Sequence, residues 1–245
     1  MSVRILANTT QRILRQLRHD HRTIALMLVV PTLLLSILYF MYEDQAPVFN
    51  RIALIMLGVF PFTIMFLLTS IAVLRERTSG TLERLFTTPL GKLDLLFGYG
   101  IAFGLAAAVQ ASVTAALAYW LLDLNTAGSA GFVILIAVTN AVLGVALGLF
   151  FSAFARTEFQ AVQFMPIVVL PQVLLSGLFV ARDEMAGWLE AISNILPVTY
   201  AVEALAEIGA NPEPTATMWR DLGVVFGVVV LALMLGAATL RRRTP

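Results

Sequence analysis

Six apolar runs divide the chain, at about residues 24–42, 52–74, 95–122, 130–155, 159–181 and 222–240, and none contains Asp, Glu, Lys, Arg or His. Each reaches the length that crosses a membrane, since about 20 residues at 1.5 Å rise span hydrocarbon about 30 Å thick. Backbone groups in lipid must be satisfied within the segment, and the alternation of a barrel strand is missing, so the runs predict helices. The polar positions between them predict three further elements. Residues 1–22 place Leu6, Ile13, Leu14 and Leu17 on one helical face, with Arg15, Arg18 and Arg22 outside it. That pattern predicts an amphipathic helix on the membrane surface with its arginines toward headgroups; a solvated tail is the alternative, and a basic stretch of over 20 residues fits a cleaved signal peptide poorly.

Residues 80–89 read Gly-Thr-Leu-Glu-Arg-Leu-Phe-Thr-Thr-Pro. Gly80 interrupts the preceding helix, and Pro89 ends the next one, because a residue before proline avoids the helical region. A short helix fits between them, at Thr81–Thr88, with Glu83 in its first turn, where a carboxylate suits the positive end. Leu82, Leu85 and Phe86 share one stripe, which either packs on the membrane surface or docks into a partner as a helix in a groove. Spacing alone leaves both open. The third element is a broken pair at about 187–209. Trp188, Leu189, Ile192, Ile195 and Leu196 follow helical spacing, Pro197 breaks the chain, and Leu205 and Ile208 lie apart from Glu203 and Glu207. Each half is too short to span, which predicts a re-entrant hairpin; a flat interfacial pair is the alternative.

Composition agrees with a lipid-solvated surface. Apolar residues make up 59% of the 245 and charged ones 13%, against about 25% charged in a soluble domain. No long polar stretch offers a second unit, so residues 1–245 are expected to form one transmembrane domain. Charge then sets the orientation. Of 16 Lys and Arg, 13 lie before the first run, between the second and third, between the fourth and fifth, or after the sixth; only Arg51, Arg182 and Arg220 fall on the other side. By the positive-inside tendency the basic side is cytoplasmic, which expects a multi-pass plasma (inner) membrane protein with both termini in the cytoplasm.

Chemistry is sparse. Cysteine is absent, which excludes disulfides and thiolate nucleophiles. There is no G-x-x-x-x-G-K-[ST] loop, so ATP hydrolysis of the P-loop kind is not expected of this chain. His19 and His21 are the only histidines and lie in the basic N-terminal stretch, which argues against a serine–histidine pair within the membrane. No His/carboxylate cluster suggests a metal, so neither a catalytic group nor a metal ligand is expected. A net charge of +1 on dispersed basic residues suggests no nucleic-acid partner. The apolar runs lack the ionisable relays of proton-coupled transporters, which argues against that class. Asn140, Gly144, Gly148 and Ser152 recur every four residues, as do Gly100, Gly104, Ala108 and Ser112. Small residues at that spacing predict close helix packing. Gln160, Gln163 and Gln172, with Pro166 and Pro171, make the fifth run polar and prone to kinking; they either face a substrate route or bond neighbouring helices.

Arg75-Glu76-Arg77, Ser79-Gly80-Thr81-Leu82-Glu83-Arg84-Leu85 and Thr88-Pro89-Leu90 resemble the signature of ABC type-2 permeases, the membrane subunits of a class of ATP-driven transporters. Val30-Pro31-Thr32-Leu33, Ser176-Gly177-Leu178-Phe179 and Leu196-Pro197-Val198-Thr199-Tyr200 agree in the same order, so the likeness covers nearly the whole chain. One departure comes after Leu205, where Ala206-Glu207 stands in place of a basic residue. The resemblance implies an all-α fold of six transmembrane helices with an N-terminal interfacial helix, a cytoplasmic coupling helix and an outer re-entrant hairpin. It implies that Glu76, Gly80, Thr81, Leu82, Glu83, Leu85, Phe86 and Pro89 dock a separate nucleotide-binding ATPase, which carries ATP and magnesium while this chain binds no cofactor. A second permease copy or a related chain, embedded in membrane lipid, would complete a path for a drug, antibiotic or lipid. Gln163, Gln172, Ser176 and Glu203 are the candidate path residues. The competing readings are an ion-coupled secondary transporter and a membrane scaffold that transports nothing.

Overall fold

The computed structural model describes residues 3–79 and 92–239, and among these every regular element is helical. In chain order the α-helices are α1 (Val3–His19), α2 (His21–Met41), α3 (Ala46–Thr78), α4 (Lys92–Leu121), α5 (Ala130–Phe151), α6 (Glu158–Leu174), α7 (Gly187–Ser193), α8 (Pro197–Ala210) and α9 (Ala216–Thr239), with a 3-10 turn at Arg182–Glu184. Five of them, α2, α3, α4, α5 and α9, are long and apolar enough to cross a membrane. The shorter apolar α6 has 17 residues, about 26 Å at 1.5 Å per residue. It stops seven residues short of the expected end at 181. Leu175 closes it, and Gly177 then takes a φ of +91°, a left-handed conformation that glycine adopts without a Cβ penalty.

The helix starts reflect local chemistry. Asp20 caps α2 by accepting from the Thr23 N–H at 3.1 Å and its hydroxyl at 2.6 Å. Those bonds, the hydroxyl's first, hold the Asp20 carboxyl below its usual range. Ser129 accepts from the Gly131 N–H to start α5, and Thr157 from the Gln160 N–H to start α6. Pro47 stands in the first turn of α3, where its missing N–H costs no hydrogen bond.

The centre of the bundle is the pair α3 and α5. A Cβ on Gly144 would lie 2.3 Å from the Phe62 carbonyl oxygen, and one on Gly148 would lie 2.5 Å from that of Phe66. The helix backbones therefore touch where two glycines one turn apart remove the side chains between them. One turn earlier, the Asn140 Nδ2 donates to the Gly58 carbonyl at 3.0 Å. Pro61 supplies no N–H to the neighbouring Leu57 carbonyl, so this cross-helix bond falls where the ladder of α3 is already interrupted. Phe62, Phe66, Leu57, Ile136 and Leu143 fill the surrounding core, each at most 1% exposed. The stripe Asn140–Gly144–Gly148 thus does what its spacing suggests. Gly100, Gly104, Ala108 and Ser112 on α4 are only half-buried, and a Cβ on Gly104 would meet Val142 at an ordinary 3.8 Å. The buried face of α4 is instead the row of Ala107, Ala111, Thr114, Ala115 and Ala118.

The broken pair forms as the pattern predicts, with α7 and α8 meeting at 89°. Val198, Ala201, Val202, Ala204, Leu205 and Ile208 of α8 are buried against the bundle. That cover is what a short helix at membrane depth requires. The corner is pinned by Ser193, whose hydroxyl donates to the Leu175 carbonyl at 2.8 Å and lies 3.3 Å from that of Thr199. The stripe on α7 faces outward instead, with Trp188 and Ile192 exposed and Ile195, just past its end, also exposed.

Gly144→Ala should destabilise the fold by about 1–3 kcal/mol, because the added methyl overlaps a backbone carbonyl rather than a movable side chain. Gly104→Ala should be near neutral. Thermal unfolding of both variants in one mild detergent checks the contrast, and equal effects would show that the α3–α5 contact tolerates separation.

Candidate functional site

Two places combine charge, exposure and shape, and α3 joins them. With 33 residues it is about 50 Å long, so it exceeds the hydrocarbon thickness and carries polar residues past it.

At its C-terminal end, three consecutive residues each hold a different element. Arg75 makes a two-pronged pair with Glu158 at the start of α6, at 2.8 and 3.0 Å. Glu76 pairs with Arg12 of α1 at 3.1 Å. The Arg77 guanidinium donates to the Ser152 carbonyl at the end of α5. The Tyr99 hydroxyl of α4 lies against the Arg12–Glu76 pair, and Ile13 of α1 is buried with Leu95, Leu96 and Tyr99 beside it. The amphipathic N-terminal helix is thus packed on the bundle by Ile13, Leu14 and Leu17, while Arg15 and Arg18 stay exposed. These contacts lie on both sides of residues 80–91 in the chain. The predicted coupling helix, with Gly80, Thr81, Leu82, Glu83, Leu85, Phe86 and Pro89, lies outside the described residues. Of the predicted docking set only Glu76 is described. Its side chain is 12% exposed and faces α1.

At the other end of α3 a cavity of about 690 Å³ opens between two helical faces. Pro47, Asn50, Arg51, Leu54 and Ile55 of α3 form one wall at the i, i+3, i+4, i+7, i+8 spacing of a single face. Val202, Glu203, Ala206, Gly209 and Ala210 of α8 form the other at the same kind of spacing. The turn from Ser176 through Asp183 closes a third side. The Arg182 guanidinium donates to Glu203 on α8 and to the Asn194 side chain, and the Tyr200 hydroxyl donates to the Asn194 carbonyl at 2.7 Å. Glu203 also lies 3.6 Å from Arg220 of α9, which in turn pairs at 2.8 Å with Asp221, a fully buried carboxylate. The Asn50 side chain accepts from the Asn125 N–H at 3.1 Å, tying the α4–α5 loop to the rim.

Two of the four candidate path residues, Ser176 and Glu203, therefore meet at one cavity. Gln172 is buried and donates to the Val168 carbonyl of its own helix at 3.0 Å, with its Oε1 unpartnered. Gln163 is exposed on another part of α6. Gln160 works as a cap, accepting from the Arg156 N–H at 2.8 Å. Sequence reasoning missed Arg51, Arg182, Asp183 and Glu190 as lining residues. The available signal was the sidedness of charge: of the three basic residues outside the basic side of the sequence, Arg51 and Arg182 line the cavity and Arg220 lies beside its Glu203.

Long apolar helices around a covered, sharply bent helix pair, with ion pairs at each end of one central helix, define a polytopic α-helical membrane protein. The profile of the ABC-2 type transporter family matches residues 3–208, and the chain belongs to that family. It is 29% identical over 163 residues to ABC transporter G family member 20 of Dictyostelium discoideum, covering 66% of this chain and 22% of that protein. It is 25% identical over 177 residues to the probable multidrug ABC transporter permease YbhR of Escherichia coli, covering 72% and 48%. It is 23% identical over 185 residues to the linearmycin resistance permease protein LnrN of Bacillus subtilis, covering 74% and 48%. The matches thus span half or less of these relatives' own length.

If Arg12 and Glu76 act as one clamp, Arg12→Ala and Glu76→Ala should each lower thermal stability. The double variant should be hardly worse than the worse single one. A coupling energy of roughly 0.5–3 kcal/mol in a double-mutant cycle is the expected result for contacting charges. Additive losses would mean the pair contributes nothing jointly.

Proposed function

We propose that this chain is the permease subunit of an ATP-driven ABC exporter, which moves a hydrophobic or amphipathic molecule across the plasma membrane and does no ATP chemistry itself. The observation that carries the reading is the anchoring of α3. Arg75, Glu76 and Arg77 tie the residue run just before position 80 to α6, α1 and α5. A push on the segment after them would reach three elements at once. Gly80–Pro89 then acts as the docking element for a separate ATPase that holds ATP and magnesium, with Leu82, Leu85 and Phe86 as its apolar face. The family membership and the names of the relatives, two of them permeases, support this assignment.

In the same reading residues 1–245 form one transmembrane domain. α2 to α6 and α9 give six crossings, which place both termini on the cytoplasmic side with the basic residues. A second copy or a related permease completes the path, lipid covers the exposed apolar faces of α2 and α9, and the α3–α8 cavity lies at the exit. ATP-driven closure of the two ATPases moves the docking elements and switches the path from inward to outward opening. The cargo is a drug, an antibiotic or a lipid.

The test is ATP-dependent uptake of a fluorescent amphiphile into inside-out vesicles that contain the chain and its ATPase. Leu85→Asp should cut uptake by on the order of tenfold by removing an apolar anchor, while membrane insertion stays normal. Full uptake in that variant would remove the docking assignment. Uptake driven by an ion gradient without ATP would favour a secondary transporter.

A further inference from the structure

The cavity between α3 and α8 carries more charge than its internal pairs consume. Arg182 is committed to Glu203 and Asn194, and Glu203 is shared with Arg220. Three lining groups are left with no side-chain partner among the described residues: Arg51 on α3, Asp183 on the 3-10 turn and Glu190 on α7. Arg51 and the two carboxylates line one cavity, yet neither carboxylate comes within ion-pair distance of it. The lining also includes the apolar Leu54, Ile55 and Val202, each at most 5% exposed. The volume, about 690 Å³, lies within the roughly 300–1,000 Å³ of sites for drug-sized ligands.

We propose that this cavity binds the zwitterionic headgroup of an amphiphile, with Arg51 on its anionic group, Asp183 and Glu190 on its cationic group, and its chain along Leu54, Ile55 and Val202. Charge decides the class. A simple cation would leave Arg51 repelling it, and a simple anion would face two carboxylates. Only a head with both signs finds a partner for each free group, and charge-assisted contacts are the stronger kind of hydrogen bond. The committed pairs have a separate task. Arg182, held by Glu203 and Asn194, fixes the turn against α8 and so holds the carboxylate side of the cavity at a set distance from α3. A membrane phospholipid and a free zwitterionic drug share this chemistry. The claim that the occupant is cargo rests on the permease reading, whereas the binding claim does not.

The test uses the full chain in nanodiscs of phosphatidylglycerol, without any ATPase. A lysophosphatidylcholine probe with a photoreactive group near its head is crosslinked, and labelled peptides are identified by mass spectrometry. Labelling is expected around residues 47–55 and 176–190. It should be competed by dodecylphosphocholine at concentrations about tenfold below those needed for dodecyltrimethylammonium or dodecyl phosphate. Arg51→Gln and the double variant Asp183→Asn with Glu190→Gln should each weaken labelling by about tenfold, and Arg51→Lys should keep most of it. None of these side chains holds a side-chain partner among the described residues, so unchanged thermal unfolding is expected and controls for damage. Competition by two-chain phosphatidylethanolamine in the disc would identify a membrane lipid as the source, and its failure beside effective single-chain competitors would identify a free amphiphile. Equal competition by all three heads, or labelling confined to the exposed faces of α2 and α9, would overturn the proposal. A chain that purifies with an ATPase yet fails this test loses the headgroup assignment alone.

Discussion

The backbone contact between α3 and α5 is the constraint on which the remaining structure depends. In lipid, apolar side chains gain nothing by leaving the solvent, so helices associate through close packing and cross-helix hydrogen bonds. Gly144 and Gly148 let the α5 backbone reach the carbonyls of Phe62 and Phe66, and Asn140 bonds the Gly58 carbonyl one turn away. With that pair fixed, both ends of α3 have defined positions. One end meets α1, α5 and α6 through charged side chains, and the other forms a wall of the cavity with α8.

This arrangement places the two candidate functions on one rod. Arg75, Glu76 and Arg77 face three different elements because successive residues of a helix point about 100° apart. In the permease reading, a displacement of the chain beyond residue 79 is passed through these three contacts to α6, α1 and α5. Roughly 20 residues earlier the same helix presents Arg51, Leu54 and Ile55 to the cavity. In the permease reading, force enters at one end and a bound molecule is felt at the other, with little flexible chain between them.

Much of the fold was legible in the residues because lipid imposes simple rules. Uncharged runs of sufficient length marked α2 to α6 and α9, Pro47 and Pro197 stand at observed helix starts, and Pro197 marks the broken pair. The every-fourth-residue pattern located the α5 interface. It misled on α4, since spacing shows that small residues share a face but not that another backbone approaches it. The end of α6 also escaped the pattern. Apolar residues continue to Ala181, whereas the helix closes at Leu175 and Gly177 turns the chain in a left-handed conformation. The site was legible in pieces. Ser176 and Glu203, two of the four residues singled out in the sequence, line the cavity, whereas Arg51, Asp183 and Glu190 come together only through the fold. Glu76, which the resemblance put in the docking region, has its carboxylate on Arg12 of α1, a pairing that no spacing in the sequence announces.

In the proposed function a separate ATPase drives this chain. Purifying it in two mild detergents from the membrane in which it naturally occurs, and identifying what accompanies it, tests that claim most directly. A P-loop ATPase in stoichiometric amount is the predicted result. Clean chain without an ATPase in both detergents would contradict the account.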